Sequence, residues 1–168
     1  MEPRFVVDAM LGRLARWLRI LGYDTLYDPA WPDAHLARLA RSEDRVLLTR
    51  DVALTQRRGL RSLLIAAEDL PAQLDQLHDA LSIGAVAPLS RCLICNAPLE
   101  EIPKDRAWGL VPPYVFCTQE WFRLCPVCNR FYWRGTHWER MRVVLERWAP
   151  GGTLADDPGR RSAGSGGS

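Results

Sequence analysis

The first half of the chain alternates between short apolar segments and longer segments in which apolar residues recur at helical spacing. The short segments are rich in Val, Leu and aromatic residues and indicate buried strands. They cover residues 4–7, 23–27, 45–49 and 60–66. Helices are predicted between and after them, over residues 10–21, 33–41, 52–57 and 69–81. This alternation is typical of an α/β fold with a mostly parallel sheet flanked by helices.

The first predicted helix has two distinct faces. Apolar side chains recur on one face, at Met10, Leu11, Leu14, Trp17, Leu18 and Leu21. Arg13, Arg16 and Arg19 follow one another at intervals of three on another face. Gly22 comes directly after the last apolar residue, where a left-handed residue commonly ends a helix.

Two cysteine pairs, Cys92-x-x-Cys95 and Cys125-x-x-Cys128, dominate the second half of the chain. Each pair supplies two thiolates on one tight turn, and two such turns complete a tetrahedral zinc shell. Because that shell leaves no open position, a zinc ion bound there is expected to be structural. The alternative is four unrelated buried cysteines. The fifth cysteine, Cys117, is interpreted as a small buried or partly exposed residue, with exchange for Cys125 as a ligand the minor alternative.

These patterns divide the chain into three predicted regions. Residues 1–88 form the α/β domain, and residues 89–148 form a zinc ribbon with a terminal helix over residues 139–148. Residues 149–168 are rich in Gly and Ser and are expected to be a disordered tail.

Length and hydropathy place the protein among globular proteins. Its 168 residues suffice for one ordinary domain and a small module. No stretch approaches the 18 or so uninterrupted apolar residues of a membrane span. Asp8 lies where a signal peptide requires apolar residues, so a cytoplasmic location is expected. In that compartment the cysteine pairs favour a metal over disulfides.

The charge of the chain is nearly balanced. The net charge is +2, and only Lys104 among the 22 basic residues is a lysine. Arginine favours bidentate contact with phosphate, but a genome of high GC content explains the same preference. Composition alone therefore does not indicate a nucleic-acid partner.

Carboxylates follow the predicted strands. Asp8, Asp28 and Asp51 come directly after three of them, and Asp33 begins the following helix. The carboxyl ends of parallel strands meet at one edge, where ligands bind. Clustered carboxylates suit Mg²⁺ or Mn²⁺, which can activate water against a phosphodiester. The alternative is that these residues cap helices or, for Asp28 before Pro29, form a turn.

Three arginines near these carboxylates are candidate substrate contacts. Arg50 precedes the last of them and is interpreted either as a phosphate contact or as part of a surface salt bridge. Arg13 and Arg16 lie beside Asp8 and either line an RNA path or form a solvated helix face. The hydroxyl of Thr49 is a candidate for orienting a carboxylate.

Aromatic residues interleave with arginines near the second cysteine pair. The aromatic residues are Trp121, Tyr132, Trp133 and Trp138, and the arginines are Arg123, Arg130, Arg134, Arg140 and Arg142. Such rings either stack on unpaired bases or pack the ribbon against the α/β domain. His137 is interpreted as a structural hydrogen-bonding residue or a substrate contact, with zinc ligation less favoured.

Four segments together resemble the Mut-seven C-terminal RNase family: FVVDAMLGRLARWLRILGYDT, RVLLTRD, RCLICN and LCPVCNRFYWRGTH. The resemblance covers about residues 4–141. It implies a PIN-like nuclease domain fused to a zinc ribbon, with the four paired cysteines as ligands. Asp8, Asp33 and Asp51 would be its acidic positions, with Arg50 as a companion. A fourth acidic position is not obvious, and Asp28 is the candidate.

The resemblance implies a Mg²⁺- or Mn²⁺-dependent ribonuclease. Its products would carry a 5′-phosphate, by analogy with the PIN class. The expected partner is RNA, such as tRNA or single-stranded RNA, and a homodimer is considered because PIN-like relatives often dimerise. A protein inhibitor has no support in the sequence. Two alternatives remain: an RNA-binding adaptor with a degenerate acidic site, and a zinc-stabilised protein-interaction domain.

Overall fold

A four-stranded parallel sheet forms where the apolar segments of the first half lie. The computed structural model describes residues 1–148, so the predicted tail lies outside it. The strands are β1 (Phe5–Val7), β2 (Thr25–Tyr27), β3 (Val46–Thr49) and β4 (Ser62–Leu64). Their order is β2-β1-β3-β4, and every neighbouring pair is parallel. The predicted α/β class is confirmed.

Three helices connect these strands and a fourth follows the last of them, as the sequence pattern predicts. They are α1 (Gly12–Leu21), α2 (Asp33–Ser42), α3 (Val52–Thr55) and α4 (Leu70–Leu81). A 3-10 turn over Ala9–Leu11 precedes α1. Gly22 ends α1 in the left-handed region at φ 103°, as expected. Among residues 1–148 no helix is long and apolar enough to cross a membrane.

The central strand β1 is buried on both faces, because successive side chains point to opposite sides of the sheet. Phe5 and Val7 pack in the larger core, together with residues of α1 and α4. Val6 packs in the smaller core with Leu36 of α2 and Leu54 of α3. Helices α1 and α2 therefore cover opposite faces, and only α1 is on the side from which the second half of the chain approaches.

The second half contains a small antiparallel sheet with its own core. Its strands are β5 (Glu100–Ile102), β6 (Phe122–Leu124) and β7 (Phe131–Trp133), in the order β5-β6-β7. A short helix, α5 (Pro113–Thr118), covers this sheet. The sequence pattern did not predict α5, because six residues are too few to show a helical period, although Pro113 is typical of a first helical position. We call residues 89–135 the ribbon module.

The last described helix, α6 (Thr136–Arg147), returns to the parallel-sheet domain. It begins three residues before the predicted start at Glu139. Trp138, Met141 and Leu145 are buried in the larger core with side chains from α1 and α4. An ion pair of 3.2 Å between Arg147 and Asp75 of α4 supports this packing.

The segment after α4 passes close to the end of α1 at Gly22. A Cβ there would lie 2.5 Å from the carbonyl oxygen of Ala87, in addition to the left-handed φ. A Cβ at Gly59, which is also left-handed at φ 71°, would meet only Nε of Arg41 at 3.8 Å. We expect Gly59→Ala to lower the free energy of unfolding by about 1–2 kcal/mol. Gly22→Ala should lower the free energy of unfolding by about 1–3 kcal/mol more than Gly59→Ala, because the backbone at Ala87 has to move away from the new Cβ.

Urea denaturation of both variants measures this difference. Equal losses for the two substitutions would show that the contact with Ala87 adds nothing beyond the left-handed φ.

Candidate functional site

The four paired cysteines form one cluster. The Sγ atoms of Cys92, Cys95, Cys125 and Cys128 all lie within 4.8 Å of one another, and none of these cysteines is in a disulfide. The Cys95 and Cys125 sulfurs are 3.5 Å apart. Tetrahedral zinc with Zn–S bonds of about 2.3 Å needs sulfurs roughly 3.8 Å apart, so the cluster has the composition and spacing for zinc. Cys117 is exposed and takes no part in it.

The two cysteine pairs have the same local structure. Each is followed by an asparagine in the left-handed region, Asn96 at φ 69° and Asn129 at φ 56°. The N–H of Asn96 donates to the carbonyl of Cys92 at 3.0 Å, and the N–H of Asn129 donates to that of Cys125 at 2.9 Å. Asparagine tolerates this conformation better than most residues, which explains the repeated Cys-x-x-Cys-Asn sequence. We call these turns the first and second knuckle.

The first knuckle has a thiol that favours the charged form. The hydroxyl oxygen of Tyr132 lies 3.1 Å from Sγ of Cys92. It also accepts the N–H of Leu93 at 3.1 Å. Burial alone would raise the pKa of Cys92, but this hydroxyl and the N–H groups of Cys95 and Ile94 lower it to about 6. The pKa of Cys125 is raised, chiefly by burial. One thiolate disfavours ionisation of the thiols beside it, and a bound cation would offset that repulsion.

Asn96 joins the first knuckle to the edge of the parallel sheet. Its Nδ2 donates to Oδ1 of Asp24 at 2.7 Å, and its Oδ1 accepts the backbone N–H of Thr25 at 3.0 Å. Thr25 begins β2, an edge strand of the sheet. The knuckle therefore provides the partner that this strand lacks on its open side.

Two buried arginines complete this junction. Arg19 donates from Nε to the carbonyl of Thr25 at 2.9 Å and from Nη1 to the carbonyls of Leu93 and Ile94 at 3.0 and 3.1 Å. The sequence pattern grouped Arg19 with the surface arginines of α1, but its side chain is buried under the knuckle, and burial lowers its pKa. Arg45 forms an ion pair of 2.8 Å with Asp24.

The carboxyl ends of β1 and β3 are joined by a hydroxyl. Thr49, which is fully buried, donates from Oγ1 to Oδ2 of Asp8 at 2.7 Å. Oγ1 of Thr49 also accepts the backbone N–H of Asp51, at 3.0 Å. Because β1 and β3 are neighbours, this hydroxyl orients the Asp8 carboxylate and holds the turn that carries Asp51.

Both carboxylates also cap helical turns. Asp8 accepts the N–H of Ala9 at 2.7 Å, and Oδ1 of Asp51 accepts those of Ala53 and Leu54 at 2.7 and 3.3 Å. The capping alternative considered for these residues is thus present in the structure. A carboxylate has about four acceptor positions, so each retains capacity for another ligand.

Asp28 and Asp33 are more loosely placed. Asp28 follows β2 at the same sheet edge, and its side chain accepts the N–H of Ala30 at 2.9 Å in a turn. Asp33 begins α2 with an exposed side chain 4.0 Å from Arg57. Within residues 1–148, the four cysteines are the only group of three or more His, Cys, Asp or Glu ligand atoms within 4.8 Å of one another. The structure therefore does not bring the four aspartates together at that separation.

The candidate arginines differ in whether contacts within the protein hold their side chains. Nη1 of Arg50 donates to the carbonyl of Ala67 at 2.7 Å, which holds its side chain beside the segment after β4. Arg13 and Arg16 are exposed on α1, and in the described part of the chain neither forms an ion pair. Arg16 faces a cavity between α1 and the ribbon module.

The aromatic residues divide into packing and solvent-facing sets. Trp121 packs against the guanidinium groups of Arg123 and Arg134, at 4.8 and 4.6 Å from its ring. Trp138 is buried in the larger core, as the packing alternative expects. Trp133, by contrast, borders the cavity beside Arg16.

Sequence reasoning missed the residues that join the two modules. Asn96, Asp24 and Arg45 carried no recognised signal, and Tyr132 was considered only as a ring for base stacking or for packing, not for its hydroxyl. The one signal in the sequence that could have pointed to Asn96 is that an asparagine follows each cysteine pair. Its partners lie more than 70 residues away in the chain, beyond any local pattern.

These features define a class of protein: a parallel α/β domain with aspartates at the carboxyl edge of its sheet, joined to a four-cysteine ribbon. The chain matches the Mut7-C RNAse domain over residues 3–145 and belongs to that family. No match was found among curated proteins or among solved structures.

The contribution of Asn96 can be measured against its counterpart in the second knuckle. Asn129 has the same left-handed backbone, but its exposed side chain has no hydrogen-bond partner among residues 1–148. We expect Asn96→Ala to lower the free energy of unfolding by about 1–3 kcal/mol more than Asn129→Ala, because it leaves the Thr25 N–H without a partner and removes one of the hydrogen bonds of the Asp24 carboxylate.

Urea denaturation gives the difference, and amide hydrogen exchange locates it. Only Asn96→Ala should increase the exchange rate of the Thr25 amide. Equal losses and an unchanged Thr25 amide would contradict the proposed role of this side chain.

Proposed function

We propose that this protein is a metal-dependent ribonuclease whose active site lies at the carboxyl edge of the parallel sheet. The observation that carries the proposal is the Asp8–Thr49–Asp51 link between two adjacent strands, in a chain of the Mut7-C RNAse domain family. A nuclease that uses Mg²⁺ or Mn²⁺ needs oriented carboxylates near the phosphodiester, and the buried Thr49 hydroxyl orients one and positions the turn of the other. The family makes RNA the expected substrate.

Asp8 and Asp51 would hold Mg²⁺ or Mn²⁺, with Asp33 and Asp28 as outer members of the site. Mg²⁺ keeps several waters and is commonly bound by one or two carboxylates, which suits acidic groups that do not form a tight cluster. The ion would supply an activated water and a positive charge near the leaving oxygen. By analogy with the PIN class, the product would carry a 5′-phosphate.

The arginines would hold the RNA. Exposed Arg13 and Arg16 on α1 follow the Asp8 turn and are free to contact phosphates. Arg50 would use the guanidinium N–H groups that do not bind Ala67. Planar guanidinium groups match phosphate oxygens in a bidentate manner. We further propose that the substrate is a cytoplasmic RNA.

A second candidate function is an RNA-binding adaptor without catalysis. It is favoured by the helix-capping bonds of Asp8 and Asp51 and by the wide spacing of the aspartates. In that case these carboxylates would serve folding alone.

Cleavage of labelled RNA in the presence of Mn²⁺ or Mg²⁺ separates the two functions. We expect the wild type to cut and Asp8→Asn or Asp51→Asn to abolish cutting, since a neutral amide binds these cations weakly while still capping the helix. Thr49→Val removes only the orienting hydroxyl and should slow cleavage by about 10- to 100-fold. Asp79→Asn makes the same change in charge on the exposed side of α4, and this variant should cut RNA like the wild type.

Each failure has a distinct meaning. Metal-dependent cleavage that survives both Asp8→Asn and Asp51→Asn would place the chemistry elsewhere. Binding without cleavage by the wild type, under either metal, would favour the adaptor.

We also propose that the cysteine cluster holds one zinc ion that stabilises the ribbon module. Structural zinc contributes on the order of 10 kcal/mol to the folding of such modules. Cys125→Ser removes a ligand and should abolish stoichiometric zinc, with loss of the β5–β7 structure. Cys117→Ser is the matched control, because Cys117 is exposed and outside the cluster.

Metal analysis of the purified variants and Co²⁺ substitution, which reports tetrahedral thiolate coordination, measure this outcome. Full zinc content in Cys125→Ser, or loss of zinc in Cys117→Ser, would contradict the assigned ligands.

A further inference from the structure

A groove separates α1 from β7, the edge strand of the ribbon sheet. It consists of two adjoining cavities of about 630 and 400 Å³. The residues shared by both cavities are Arg16, Leu93, Phe131, Tyr132 and Trp133. We call the combined space the α1–β7 groove. Among the described strands β7 pairs only with β6, so one edge of it has no strand partner.

The charge of the groove favours an anion. Arg16 and Arg130 contribute guanidinium groups, and His137 lies at the other end. Among the described residues that line the two cavities, none is Asp or Glu. A concave surface with positive groups and no carboxylate concentrates anionic ligands.

Five aromatic residues line the groove, and one of them is largely exposed to solvent. Tyr114, on the wall formed by α5, is 71% exposed although it is a large ring. Phe131 and Trp133 pack one side against the ribbon core and border the groove with the other. Aromatic side chains and guanidinium planes that face solvent together are how proteins bind unstacked bases.

The groove also lies beside the proposed active site. Arg16 is on its α1 wall, and Arg13 lies one helical turn closer to Asp8 on the same exposed face. A phosphate backbone leaving the groove at Arg16 would therefore meet Arg13 and then the Asp8 turn.

We propose that the α1–β7 groove binds unpaired nucleotides of a single-stranded RNA and directs the strand along Arg16 and Arg13 to the acidic edge of the sheet. The binding part stands on the groove alone, whereas the direction toward Asp8 rests on the proposed function. A duplex would be excluded, because paired and stacked bases cannot present their faces to Tyr114 and Trp133.

Fluorescence anisotropy of a labelled single-stranded RNA, with the same sequence in a duplex for comparison, tests the binding. The zinc-loaded full chain is used without added Mg²⁺ or Mn²⁺, and the RNA is checked for integrity afterwards. We expect Tyr114→Ala to weaken single-strand binding by roughly fivefold to a hundredfold, the effect of losing one stacked base. Arg16→Gln should weaken binding and reduce the salt dependence by about one phosphate contact.

Two controls match these changes outside the groove. Trp108→Ala removes an aromatic residue that is 73% exposed but does not line it. Arg38→Gln removes an exposed arginine on α2, on the opposite face of the parallel sheet. Both controls should bind the RNA like the wild type.

Photo-crosslinking with 5-iodouracil in the RNA gives a second readout that does not depend on how well a variant folds. Crosslinks should map to Tyr114, Phe131 or Trp133. Unchanged affinity of both Tyr114→Ala and Arg16→Gln, equal loss in the controls, or crosslinks confined to residues outside the groove would overturn the proposal. Capture of an extended peptide on β7 with no RNA binding would also overturn it.

The outcomes separate this site from catalysis. Asp8→Asn should bind the single strand like the wild type but not cut it. If the groove variants lose binding while no metal supports cleavage by the wild type, the groove stands and the nuclease proposal fails. If the wild type cuts RNA but the groove variants bind normally, the groove proposal fails alone.

Discussion

The arrangement of the two modules depends on the contact between the first cysteine knuckle and the edge of the parallel sheet. An edge strand leaves backbone groups without partners, and β2 begins at such an edge. The Asn96 side chain accepts the Thr25 N–H, and Arg19 donates hydrogen bonds both to the Thr25 carbonyl and to a carbonyl of the knuckle. The conformation of the knuckle is in turn constrained by the cysteines on either side of its tight turn. The cysteine cluster, the knuckle and the sheet edge are thus one continuous structure.

That junction also sets the position of α1. Arg19, near the end of this helix, is buried against the knuckle, while Arg16 is exposed toward the ribbon and Arg13 lies closer to the carboxyl edge of the sheet. A helix is a rigid connector over this distance, so fixing one end orients the arginines along it. The return of α6 into the larger core holds the ribbon from its other end. The groove between α1 and β7 is thus bounded by elements that are packed at both ends of the ribbon module.

At the carboxyl edge of the sheet, Asp8 and Asp51 have a structural role that is compatible with the proposed catalytic one. Asp8 and Asp51 cap helical turns, which stabilises the fold, and the same bonds hold their carboxylates in place. The buried Thr49 hydroxyl connects the two, since it donates to one carboxylate and accepts the backbone N–H of the other residue. Capping and metal binding are therefore compatible at this edge, because a capped carboxylate still has acceptor positions left.

Local patterns in the sequence determined the parallel α/β class, most helices and strands, and the four-cysteine set, because each depends on residues close together in the chain. The period of apolar residues marks an element, and Cys-x-x-Cys marks a metal-binding turn. Only the tertiary structure decided that Arg19 is buried, that Asn96 bonds β2 across 71 residues, and that α6 packs on the parallel-sheet domain. These outcomes depend on contacts between segments distant in sequence, whose geometry is set by packing and not by the spacing of residues along the chain.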